Sequence, residues 1–536
     1  MSGLIVGPQT LPVEEGAKVL MAGGNAIDAA VTCAFVQALV DPLNCGIGGY
    51  AELTLQLAGQ EMNPIHLDAP AIAGSLVTPD MWVNKVIGAN PDGWGFFLEG
   101  KVNDAGYTSI CTPGWVKGMS TILERWGTIS WAQAIAPAAH IADEGFKVSD
   151  ALARLLRRKA SYPQAVSSRE YIERNAEASR IYLKNGELPD MGETFRNPDY
   201  ARSLRHLAEK GPADFYHGEL ADRMASDLSA NGSFVTREDL QNYQLRDNTP
   251  ATGNYRGYEF ASGAAPHGGP TLVAILNILE GYDLAAMGHN SPEYIYTVSM
   301  AMKAAFADRN PLLGDPDFVD VPLDWMMSKD RAAEWRAHID AGKPIKVDFT
   351  ATGTPTTTHV SVVDQWGNCV ALTHSLGASS GVITPGLGFM YNNSMINFHP
   401  YPGHPNSIAP TKSRTTGMCP TIIYKDGKPV VVLGAPGATR IITSCLQVIL
   451  NILDFGMSAT EATHAARFDC QAGDIRCHAR IPEYICAEVR KRHPIVRLAQ
   501  SHGAFGLVHA ITIDPQSGKL AGGADTGSDG MALLVG

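Results

Sequence analysis

The chain has 536 residues, 45% hydrophobic and only 18% charged, with a formal net charge of −12 and no basic block. Such a composition can bury a large core, and it argues against nucleic acid or an anionic membrane surface as partner, since both need clustered cations. No apolar run reaches the length of a membrane-spanning helix.

The nine cysteines are an odd number without a CxxC pair, and the sixteen histidines are dispersed without an HExxH motif. Reduced, buried thiols and no metal or cofactor are therefore expected. The opening stretch "MSGLIVGPQTLPVEEGAKVL" has neither a basic n-region nor an apolar h-region, so a cytoplasmic location is expected.

In chain order, "VEEGAKVLMAGGNAIDAAVTCAFVQALV" predicts two helices broken at Gly23-Gly24. Ala29, Ala30, Cys33, Ala34 and Leu39 recur at helical spacing in the second, and such small residues let a helix lie close to a sheet. "AELTLQLAG" alternates as a strand, and residues 114–230 read as an outer helical layer. Ser291 is placed to cap a long helix. From residue 357 the pattern changes to hairpins, with turns at Trp366-Gly367-Asn368 and Asp426-Gly427 and a third hairpin in "LVHAITIDPQSGKLAGGAD". Helices are expected in "ATRIITSCLQVILNIL" and "SATEATHAARF". Stacked antiparallel hairpins with helices outside them make an α+β layered fold.

The segment "TGTPTTTHVSVVDQWGNCVALTHS" sets a threonine cluster at the head of the first of these strands. A threonine hydroxyl needs a base to become a nucleophile. Cleavage before the threonine supplies one, because the freed α-amine has a pKa of about 7.7–8.0 and sits beside the hydroxyl. The preceding "DFTATGTPTT" reads as a loop free to move aside. Threonine runs ahead of ordinary strands are the competing explanation.

The motif resembles the catalytic start of the γ-glutamyltransferase family, N-terminal-nucleophile hydrolases that cleave themselves before a threonine. The resemblance runs through "GGNAIDAAV", "GIGGY", "CTPGWVKGM", "TREDLQNYQ", "AFADRNPLLGDPDFV", "NNSMINF", "PTIIYKDGKPVVVLGAPGATRIITS" and "GADTGSDGMA" in the family's order. It implies a four-layer αββα sandwich of antiparallel sheets flanked by helices. It also implies processing between Thr356 and Thr357, giving a large subunit 1–356 and a small subunit 357–536 within one intertwined fold. Thr357 is then the nucleophile, Ser375 the second hydroxyl residue that touches it, and Thr373 and His359 supports of the site. Pro436-Gly437-Ala438 supplies the oxyanion hole, with the amides of Gly437 and Ala438 at a helix N-terminus, where developing negative charge is favoured.

The residues that bind the glutamyl group depart from the family pattern. His66 stands where an arginine clamps the substrate carboxylate, and a lone histidine is a weaker clamp than a forked guanidinium; a structural histidine is the plainer explanation. Asn397 replaces a carboxylate, Ser394 a glutamine, and Gly377 a side chain that contacts the amine. Thr416 and Gly417 replace two carboxylate-binding serines. Arg414 is either a substitute cation or an exposed, solvated arginine. These departures lead to the expectation of an autoprocessed threonine amidohydrolase for a small non-glutamyl amide, with oxamate as an example. The alternatives are a γ-glutamyl hydrolase or transferase and a ligand-binding homologue without turnover. The expected partners are a small-molecule amide and the two subunits of one precursor, and a homo-oligomer of such heterodimers is compatible with them. "GIGGY" lacks the strand and spacing of a nucleotide-binding turn.

Overall fold

The structure, a computed structural model, describes residues 2–90, 95–347 and 356–536. Part of the loop expected ahead of Thr357, residues 348–355, lies outside the described residues.

Two six-stranded sheets form the centre. The strands that build them are β1 (Gly3–Gly7), β2 (Tyr50–Gln56), β3 (Ile65–Ala69), β4 (Ala251–Tyr255), β5 (Tyr258–Ser262) and β6 (Thr358–Val363), followed by β7 (Cys369–Ser375), β8 (Thr421–Lys425), β9 (Lys428–Gly434), β10 (His509–Ile513), β11 (Leu520–Ala524) and β12 (Met531–Val535). The first sheet runs β12-β1-β6-β7-β2-β3 and the second β11-β10-β9-β8-β5-β4, with antiparallel pairing in both. Both sheets therefore mix strands from either side of residue 357.

The turns follow their local chemistry. The Asp364 carboxylate accepts the backbone N–H groups of Trp366, Gly367 and Asn368 and closes the β6–β7 turn. Asp426 and Gly427 both have positive φ, the conformation a two-residue hairpin requires.

Alternation along the strands sorts side chains between two faces. Leu4, Val6, Val363, Ala371, Ile422, Val432 and Ile511 meet between the sheets. Ile5, Val360, Val362, Val370 and Leu372 face helices α1 (Thr10–Met21), α2 (Ala26–Val40) and α3 (Trp115–Trp126). Over the second sheet lie α4 (Gly269–Leu279), α5 (Pro292–Leu312) and α6 (Arg440–Leu453). The order of layers is αββα. The two helices expected around Gly23-Gly24 are α1 and α2, and Asn25 starts α2 with a capping box to Asp28. Every residue of α2 is buried, because helices of the expected outer layer, Trp131–Glu144 and Pro198–Lys210, pack beyond it. Ser291 caps α5 by accepting the Tyr294 N–H. Among the described residues no helix is long and apolar enough to cross a membrane, and no cluster of metal-ligating side chains occurs.

Candidate active site

The β6–β7 register pairs Thr358 with His374 and His359 with Thr373, so Thr357 stands opposite Ser375 on the face between the sheets. Thr357 Oγ1 lies 3.1 Å from Ser375 Oγ and also against the carbonyl oxygen of Thr356. Ser375 Oγ donates to that same carbonyl at 3.2 Å and accepts the Gly377 N–H at 2.9 Å. Two hydroxyls thus converge on the carbonyl of the Thr356–Thr357 peptide. Thr358 points the other way, to Gln9 ahead of α1 and Gln37 on α2.

His359 is a support and not a base. Its Nδ1 contacts Thr373 Oγ1 at 2.8 Å and its Nε2 contacts Ser361 Oγ at 2.9 Å, so neither nitrogen is open to Thr357. Burial holds its pKa well below the usual histidine value, helped by His509 and His374. A side chain at Gly434 would meet the His359 ring at 2.3 Å, so only glycine fits there. Across the sheet, His374 Nδ1 accepts the Trp115 indole N–H at 3.0 Å and its Nε2 contacts Gln37 Oε1 at 2.9 Å. Burial lowers His374 to about 3.

The Pro436-Gly437-Ala438 turn leads directly into α6. Gly437 has φ 142° and a β-carbon there would sit 2.6 Å from Gly506. Ala438 has φ 54°, a left-handed conformation that costs a non-glycine residue roughly 1–2 kcal/mol. Ala438 lines the cavity, while Gly437 stands behind it.

A small cavity of about 20 Å³ lies over Thr357, with Tyr50, Gly377, Asn397, Arg414, Thr416 and Ala438 on its wall. Arg414 is only 3% exposed, which corrects the expectation of a solvated arginine. Its guanidinium lies 4.3 Å over the Tyr50 ring and donates to Thr415 O at 3.2 Å and Ser394 Oγ at 3.4 Å. Among the described residues it has no carboxylate partner, and no Asp or Glu lines the cavity. A buried cation without a carboxylate partner is costly. Asn397 Oδ1 is buried without a hydrogen-bond partner among the described residues, leaving an acceptor on the same wall. Ser394 supports Arg414 from outside the lining, and Gly417 lets Ala438 approach, since a β-carbon there would lie 2.2 Å from Ala438 O.

His66 does not reach the cavity. It is buried on β3, 2.9 Å from Glu52 Oε1 and accepting the Ala264 N–H at 3.3 Å, so the structural explanation replaces the clamp. The sequence reading missed Tyr50 as the platform under Arg414, and it missed Asp68 and His267 behind Thr416. Tyr50 closes the "GIGGY" motif, but nothing in that motif signals stacking on a cation.

Two antiparallel sheets between helices, with a hydroxyl residue at the head of a central strand, define an αββα N-terminal-nucleophile hydrolase. The chain belongs to the γ-glutamyltranspeptidase family: the family's sequence model, described as Gamma-glutamyltranspeptidase, matches residues 13–535. It is 34% identical to the Acylase ACY 1 proenzyme of Pseudomonas sp. (strain V22), over 99% of this chain and 93% of that protein. It is 33% identical to the Glutathione hydrolase proenzyme of Escherichia coli (strain K12), over 98% of this chain and 90% of that protein. The crystal structure of cephalosporin acylase from Bacillus halodurans superposes with a TM-score of 0.87 at 26% identity, covering 99% of this chain and 95% of the other. The chain is therefore an enzyme, a hydrolase of this family.

Proposed function

We propose that the chain is a self-processed threonine amidohydrolase whose substrates are amides of an acyl group bearing a distal carboxylate, the γ-glutamyl group and its desamino counterpart, glutaryl. The observation that carries this reading is Arg414, a buried guanidinium without a carboxylate partner among the described residues, on the wall of the cavity over Thr357. In maturation, Thr357 Oγ1 attacks the Thr356 carbonyl carbon, the peptide C–N bond gives way to an ester, and water hydrolyses that ester. The products are a carboxylate on Thr356 and a free α-amine on Thr357, separating residues 1–356 from 357–536. In turnover that amine takes the hydroxyl proton, Thr357 Oγ1 attacks the substrate carbonyl, and the Ala438 N–H stabilises the oxyanion. The proton then passes to the leaving amine, and water releases the acyl group.

Arg414 is assigned to the distal carboxylate, with Thr416 and Gly417 beside it on the lining and Ser394 behind. Asn397 Oδ1 is assigned to an α-ammonium when one is present. The glutathione hydrolase and acylase relatives support this γ-glutamyl alternative over oxamate, which draws no support from them.

Rates with a γ-glutamyl anilide, a glutaryl anilide and a glutaryl anilide capped as the distal carboxamide test the proposal. Both carboxylates are expected to react, and capping is expected to lower kcat/KM by about tenfold or more. Equal rates with the capped compound, or turnover of oxamate alone, would overturn it. A single uncut chain without turnover would bring the binding homologue forward.

A further inference from the structure

A second cavity adjoins the one over Thr357. It measures about 190 Å³ against about 20 Å³, and Ile396 lines both. The turn into α6 also lies between them, since Ala438, Thr439 and Ile441 line the first cavity and Arg440 the second. Ala378, on the wall of the first, clusters with Val166 and Tyr171 of the second. Hydrogen bonds cross the same partition. Asn393 Oδ1 accepts the Ala378 N–H at 2.7 Å, and Asn393 Nδ2 donates to Asp104 Oδ1 at 3.0 Å. The Tyr171 hydroxyl donates to that carboxylate oxygen as well.

The second cavity joins aromatic and cationic walls. Phe96 and Phe97 come from the short hairpin of Val86–Ala89 with Phe96–Leu98. The centroids of the Phe97 and Tyr162 rings are 6.0 Å apart, and all three of these aromatic residues are half-buried on the lining. Most of the charged groups there are already engaged or exposed. Lys101 is held by Glu170 at 2.8 Å and by the Ala165 carbonyl at 2.8 Å, and Asp104 by Tyr171 and Asn393. Arg440 donates to Ala504 O at 3.0 Å, and Lys159 is exposed. Arg158 differs. It is half-buried on the lining, and among the described residues its guanidinium has no hydrogen bond or ion pair. Burial is the largest influence on it and lowers its pKa, while Tyr171, Asp104 and Asp41 favour its charge. A guanidinium so placed has its forked donors to offer to a planar anion.

We propose that the second cavity receives the leaving amine and that Arg158 selects amines carrying an anionic group on a flat apolar body, an aminobenzoate being the simplest. This rests on the amide hydrolysis given under the proposed function. A carbonyl held between Thr357 and Ala438 has its acyl chain on one side and its amine on the other. Arg414, assigned to the acyl carboxylate, lines the first cavity and not the second, so the amine is left to the side past Ile396. There the aromatic side chains cover its faces and Arg158 meets its anion. When the amide C–N bond breaks, the leaving nitrogen takes the proton held by the Thr357 α-amine and departs through the second cavity, while the acyl group stays on Thr357 as an ester. The whole substrate is then a dianion, with Arg414 at one end and Arg158 at the other.

The readout is the ratio of kcat/KM for glutaryl para-carboxyanilide to that for glutaryl para-carbamoylanilide, which differ only in the leaving group. A carboxamide withdraws electrons more strongly than a carboxylate, so intrinsic reactivity favours the carbamoyl compound and a ratio above one comes from the protein. The wild type is expected to show such a ratio, and Arg158→Met and Arg158→Gln are expected to lower it about five- to tenfold. The acyl halves are identical, so a change at Arg414 acts on both compounds and cancels. Appearance of the two mature chains reports that each variant has folded. If neither matures, the wild-type ratio decides: above one supports the inference, and at or below one overturns it. A ratio unchanged in the Arg158 variants, while Arg414→Met still slows both compounds, overturns the inference and leaves the proposed function standing. A ratio that falls in the Arg158 variants, while capping the acyl carboxylate changes nothing, keeps the leaving-group cavity and overturns the acyl reading. Turnover of neither compound overturns both.

Discussion

The floor of the cavity and its wall are held in different ways. Thr357, Ser375, Thr373 and His359 are fixed by the register of β6 on β7, where a one-residue slip would turn every side chain to the opposite face. Asn397, Arg414, Thr416 and Gly417 come from segments outside the strands of the two sheets, where substitutions leave the sheet register intact. On the proposed function, the bond-breaking residues are thus tied to the geometry of a sheet, while those proposed for recognition occupy connecting segments that can change residue by residue. On that proposal, a nucleophile and turn of the family's kind can stand beside a different set of head-group residues.

Four substitutions test that division, from the largest expected effect to the smallest. Thr357→Ala removes the floor's nucleophile, and intact-mass measurement should give one uncut chain with no turnover, against two chains for the wild type. Arg414→Met alters only the wall. Maturation should proceed, while kcat/KM for carboxylate-bearing anilides falls about 10–100-fold, the equivalent of one charge-assisted contact of roughly 1.5–3 kcal/mol. Partial maturation of Arg414→Met would show that wall and floor are coupled. Ser375→Ala deletes one of the two hydroxyls on the Thr356 carbonyl and should slow maturation about tenfold, followed by gel densitometry over time.

His374→Asn probes the far side of the floor through pH. His374 is buried neutral with a folded pKa of about 3 against 6.5 for the free side chain, so the unfolded chain takes up the proton first. Its contribution to stability is complete above pH 6.5 and is lost as pH falls towards about 3. Asp41, raised to about 7 by burial, acts in the opposite sense over part of that range. Tm should therefore drop less between pH 6.5 and 4 in His374→Asn than in the wild type, even if the variant starts lower.

The hairpins, the Gly23-Gly24 break and the Ser291 cap were legible because each rests on local pattern, whereas the hydroxyl pair Thr357 and Ser375 was legible only through the resemblance to the family. Strand β1 was not read, since "GLIVG" is a five-residue run too short to show alternation and gains its place only by pairing with β6 and β12. Arg414 illustrates the other limit. Its motif "KSRTTGM" is polar and resembles a surface loop, and its burial over Tyr50 depends on a residue far earlier in the chain. His66 failed for a related reason: alignment to the family's arginine fixes its place on β3, but a shorter side chain turned to Glu52 never reaches the cavity. His267 was invisible because its partners, Asp68 and Thr416, come from distant parts of the sequence.

Strand β1 lies between β12 and β6, so a strand from before residue 357 is clamped by two from after it. Neither piece could leave, or form alone, without exposing open sheet edges. The instructions for assembly thus belong to a continuous chain that maturation destroys, and the finished enzyme would persist through slow unfolding more than through reversible equilibrium. Recovery after dilution from denaturant should then be high for uncut Thr357→Ala, scored by far-UV circular dichroism, and poor for the cleaved wild type. The cut is a one-way gate: it opens the active site once and closes the road back to the fold.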